Sequence, residues 1–101
     1  MTDTPAAAAD ARLDAALTAV DERLGALGEA LRVSDPVAIE LQASELHRAL
    51  TRAVDLFALA AKSGPVPPAL RQRLARTSGQ VAAQRESLSR ATAALDRAMD
   101  V

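Results

Sequence analysis

The sequence predicts an all-α fold, an elongated antiparallel three-helix bundle with coiled-coil-like heptad packing, and three observations carry that expectation. Half of the residues are hydrophobic while only 1% are aromatic, so Leu and Ala must do nearly all the packing. Ala has the highest intrinsic helix propensity, and the β-branched and aromatic runs that strands need are missing. Punctuation is the second observation: Ser34-Asp35-Pro36 and the stretch Gly64 to Pro68 cut the chain into three. Third, each of the three pieces carries an apolar seam in steps of four and three, the spacing of coiled-coil packing. At 101 residues the chain has room for one domain around one core.

Residues 1–9 are expected to be a loose tail and residues 10–101 a single three-helix domain. Thr4 and Pro5 nevertheless form a cap and first-turn proline from which the first helix can begin and fray. That helix, expected over 10–33, places Leu13, Leu17, Val20, Leu24, Leu27 and Leu31 on its seam. Gly25 and Gly28 lie off the seam, where each costs about 1 kcal/mol relative to Ala and is read as tolerated. Asp35 before Pro36 is an N-cap followed by a proline at the first helical position, which opens a second helix over 36–62. Its seam is Ile39, Ala43, Leu46, Leu50, Ala53, Phe57 and Ala60, widened by Val54 and Leu56. Gly64 and the prolines at 65, 67 and 68 stop it.

The third helix, expected over 68–100, has the longest seam: Leu70, Leu74, Thr77, Val81, Gln84, Leu88, Ala91, Leu95 and Ala98. Folding it back about Pro65 sets its small positions against Leu50, Leu46 and Ile39 of the second helix. Thr77 and Gln84 are polar residues on an otherwise apolar seam, read first as a device that fixes register at a cost in stability and second as part of a groove facing a partner. Being longer than its neighbour, the helix should outrun it by roughly 9 Å at 1.5 Å per residue, exposing Ala98, Met99 and Val101. An uncovered apolar helix end is a docking surface, although helix ends also fray.

Charge separates the chain into halves. Acids outnumber bases by nine to six between Asp10 and Lys62, whereas the third helix is basic. Arg76, Arg90 and Arg97 form a row on it. Near-zero net charge, a single lysine and the absence of stacking aromatics argue against nucleic acid, so the row reads as a solvated face. Arg71 and Arg73 sit in the first turns, where the helix dipole disfavours cations, so an anionic partner or the acids of the first helix should lie nearby.

Catalysis finds little to work with. His47 is the only histidine and there is no cysteine, which leaves zinc and di-iron sites without their ligands. The run His47, Arg48, Ala49, Leu50, Thr51 lacks the lysine and glycine of a histidine phosphotransfer site. Single glycines make no phosphate loop. An enzyme, a cofactor and a metal are therefore not expected. The start of the chain lacks the basic and apolar regions of a signal peptide, and with no membrane span and no cysteine the expected location is the cytoplasm.

The run Ala30, Leu31, Arg32, Val33, Ser34, Asp35, Pro36, Val37, Ala38, Ile39, Glu40 resembles the FlgN family of flagellar type III export chaperones. Leu70 to Leu74, Gln84 to Leu88 and Ala94 to Met99 extend the likeness along the chain. The resemblance implies a small cytoplasmic helical chaperone whose protein partner is a flagellar hook–filament junction subunit. It implies contacts at Leu88, Ala91, Leu95 and Met99, with Arg90 and Arg97 on the rim. The expected function is thus a chaperone or adaptor binding an amphipathic segment along its third helix. The alternative is a structural module that self-associates as a coiled-coil homodimer.

Overall fold

A computed structural model describes residues 5–100, excepting the side chains of Ala91 and Leu95. Those residues form three α-helices, α1 (Pro5–Arg32), α2 (Pro36–Ser63) and α3 (Pro68–Met99), with no strand among them. The expected boundaries hold within a residue or two except at the start. Residues 5–9, expected to be loose, belong to α1, because Pro5 is pre-set for a first turn and four alanines follow it.

Local chemistry explains both breaks. Ser34 adopts a left-handed conformation at φ 54°, and its N–H donates to the Leu31 carbonyl at 3.2 Å. The Asp35 N–H reaches back to the Ala30 carbonyl at 3.2 Å. Together these bonds are a Schellman closure, made here on serine where glycine is usual. Asp35 then caps α2, its carboxylate accepting from the N–H groups of Val37 at 3.1 Å and Ala38 at 3.2 Å. At the second break no side chain caps α3. The Pro67 carbonyl instead accepts from the N–H groups of both Leu70 and Arg71 at 3.1 Å.

The core is centred on α1. Leu13, Leu17, Val20 and Leu27 of α1 are buried against Leu46, Ala53 and Phe57 of α2 and Val81 of α3. α1 packs on α2 and on α3, whereas α2 and α3 meet only weakly. This departs from the expected pairing of the third helix with Leu50, Leu46 and Ile39 of the second. Val81, Leu70 and Leu74 of α3 pack on a core centred on α1, and the acids that pair with Arg73 are on α1 as well. Val54, expected to widen the seam of α2, is exposed, while Leu56 does pack against the core.

α3 advances beside α1 in the same direction. Thr77 Oγ1 lies 3.5 Å from Asp21 Oδ1, an offset of 56 residues, and Gln84 lies beside Gly28 at the same offset. By that offset Pro68 is level with Arg12, and Arg32, the last residue of α1, is level with Leu88. α3 therefore continues for about 11 residues, or roughly 16 Å at 1.5 Å per residue, beyond the end of α1. The overhang is longer than the sequence suggested because the linker brings α3 in two turns below the start of α1. The molecule is correspondingly long and thin, 63 × 21 × 17 Å.

Candidate partner-binding surface

The side chains that fasten α3 to α1 lie in its first two-thirds, up to Leu88. Leu70 and Leu74 pack on the core, Thr77 and Val81 are buried, and Gln84 and Leu88 are half-buried. Among them Arg73 is the electrostatic centre. Its guanidinium pairs with the Asp14 carboxylate and with Asp21 Oδ2 at 3.1 Å, and donates to Thr18 Oγ1 at 3.0 Å. A cation that the helix dipole disfavours thus finds two carboxylates across the interface. Of the two sources weighed for Arg71 and Arg73, the acids of α1 account for Arg73; Arg71 is exposed.

Beyond Leu88 the character of α3 changes. Arg90, Thr92, Ala93, Ala94, Asp96, Arg97, Ala98 and Met99 are all exposed, Met99 by 75%. Among the described side chains no packing partner supports this stretch, and the helix persists because its residues favour helix and its side chains bond within it. Thr92 Oγ1 donates to the Leu88 carbonyl at 3.0 Å and Arg97 Nε to the Ala93 carbonyl at 3.4 Å. Of the predicted contact residues, then, Leu88 straddles the boundary, and Arg90, Arg97 and Met99 stand on the projection. Ala91 and Leu95 belong to the same helix by backbone position, their side chains lying outside the described residues, as does Val101.

The α1–α2 turn lies at this same end and adds a surface that falls outside the heptad seams. Val33, Val37 and Leu41 are all more than half exposed there, although each is a sizeable apolar residue. Their signal was present in the sequence, in apolar residues that fall off both seams beside the Asp35 cap. At the opposite end, a groove of about 510 Å³ runs between the first turns of α1 and the last turns of α2, walled by Pro65 and Val66. Leu59 stands exposed on its edge.

The remaining candidates stay apart. His47 is exposed on α2, in a shallow depression shared with Arg48, Thr51 and Asp55. Among the described residues there is no group of three or more His, Cys, Asp or Glu side chains placed to hold a metal. Arg76, Arg90 and Arg97 are exposed along α3. No helix is long and apolar enough to cross a membrane.

Comparison with family models, curated proteins and solved structures finds no match. The functional reading rests on the surface itself.

Proposed function

We propose that this chain is a non-enzymatic helical chaperone or adaptor that takes up an amphipathic segment of a partner protein along the end of its third helix. The observation that carries the reading is the projection of α3 beyond Leu88, helical yet exposed, ending in Met99. A partner helix laid along it would meet Leu88, Ala91, Leu95 and Met99, with Arg90 and Arg97 on the rim, and would find Val33, Val37 and Leu41 at the same end. Helix-in-groove recognition of this kind derives its affinity from apolar anchors at three- and four-residue spacing.

The fold that supports this reading is an elongated antiparallel three-helix bundle with coiled-coil-like heptad packing, to which the client adds a fourth helix. In its specific form the proposal follows the FlgN resemblance: a cytoplasmic export chaperone whose client is a flagellar hook–filament junction subunit. The second reading, a symmetric coiled-coil homodimer, draws on the same exposed projection.

Sizing and circular dichroism separate the two. A monomer that captures a disordered client terminus with a gain in helicity supports the chaperone, whereas a tight symmetric dimer joined tail to tail would overturn it. Substituting both Leu95→Asp and Met99→Asp should abolish client capture while leaving the helical signal and the thermal transition in place. Global unfolding of that variant would assign the two residues to the core instead.

A further inference from the structure

The two ends of the molecule are complementary in what they lack. At one end α3 projects for about 11 residues past α1, and at the other α1 and α2 run on for about two turns with no third helix beside them. The groove there is the uncovered end of the α1–α2 interface, lined by Ala6, Ala9, Leu13 and Leu56, edged by Leu59 and walled by Val66. Elsewhere along the molecule the equivalent apolar strip of α1 is covered by α3.

We infer that the groove is the receptor for the α3 projection of a second copy, so that copies join head to tail with one molecule's projection supplying the third helix its neighbour lacks. Three features support that occupant. Lengths correspond: a projection of roughly 16 Å is offered to an uncovered stretch of roughly 12 Å, eight residues at 1.5 Å each. Chemistry corresponds, because Ala98 and Met99 present one small and one long apolar side chain to a groove edged by the exposed Leu59, and the tail's seam repeats the spacing that already packs on α1. Charge permits it too: Asp10 and Arg12 border the groove while Asp96 and Arg97 flank the tail, so reciprocal pairs are available.

Such a contact is heterologous, the two surfaces being different, and it propagates into a line of copies or closes into a ring. The buried patch is small, which places it in the weak class of interfaces. It shares the tail with the proposed client but not the groove, so a groove substitution distinguishes the two.

Sedimentation with interference optics suits a chain without Trp or Tyr. The unaltered protein should gain apparent mass steadily from about 10 μM to about 1 mM, the range of weak association. Leu59→Asp, which spoils only the groove, and Met99→Asp, which spoils only the tail, should each hold the protein monomeric. Mixing the two variants should restore association but stop it at a one-to-one pair, since one intact tail then meets one intact groove. An unaltered protein that stays monomeric throughout, or Leu59→Asp associating as before, would overturn the inference.

Cross-linking covers the case in which a variant misfolds. The chain has no cysteine, so Ala6→Cys and Ala98→Cys introduce single thiols in the groove and on the tail. Oxidation of the mixture should give the mixed dimer in clear excess over either homodimer. Equal or greater yield of the tail-to-tail product would sink the head-to-tail contact, whatever the fate of the aspartate variants.

Discussion

At the scale of single residues, Arg73 ties the start of the third helix to α1. Its side chain retains 27% of its exposure while that of Asp14 retains 61%, so water screens the pairing and its worth is modest. Arg73→Ala should destabilise the protein by about 1 kcal/mol in urea unfolding, and that loss should shrink in 1 M salt as the unaltered protein forfeits the same interaction. A loss that is independent of salt would assign Arg73 a packing role instead. Ser34 is the other telling residue. A left-handed backbone costs a side-chain-bearing residue about 1 kcal/mol that glycine avoids, so Ser34→Gly should raise the unfolding free energy by about that amount. The Schellman bonds are made by the backbone, and the substitution leaves them intact.

At the scale of the element, each helix carries glycine or proline whose meaning depends on its neighbours. A methyl group added at Gly25 or Gly79 would meet nothing within 4 Å, and at Gly28 it would meet Gln84 Nε2 at an ordinary 3.6 Å. Gly25→Ala and Gly79→Ala should therefore each stabilise by about 1 kcal/mol, additively, as read from thermal midpoints. The helices themselves were legible because proline, aspartate and glycine act locally: Asp35 before Pro36 defines the start of α2 whatever surrounds it. Seams were legible for a similar reason, and Leu13, Leu17, Val20, Leu46, Ala53, Phe57 and Val81 are all buried as their spacing required. The neighbour of α3 was not legible. Choosing between α1 and α2 depends on a pairing across some 56 residues, and heptad periodicity is the same for either partner. Nor could the length of the projection be read, since it follows from where the linker delivers Pro68 along α1. Of the candidate surface, Ala98 and Met99 followed from the expected overhang and Arg97 from the arginine row, while the groove at the far end arises only from the offset between helices.

At the scale of the whole molecule, α1 is the common support and α3 is divided between a fastened two-thirds and a projecting third. Deleting residues 90–101 should leave the thermal midpoint nearly unchanged, within about 4 °C for a domain of this size, because every described side chain among them is exposed. A collapse of the transition would show that the projection packs in solution. Amide exchange should rank the same parts, slowest on the buried turns of α1 and fastest beyond Leu88. The central position of α1 also sets an order of assembly. Its contacts with α2 close across a turn of three residues, whereas those with α3 span some 56, and loop closure over the longer span is entropically the slower event. A chain leaving the ribosome can thus complete the α1–α2 hairpin before α3 has been synthesised. Docking of α3 then becomes a separate kinetic phase, one that loss of Arg73 or Thr77 would slow while leaving the earlier phase untouched.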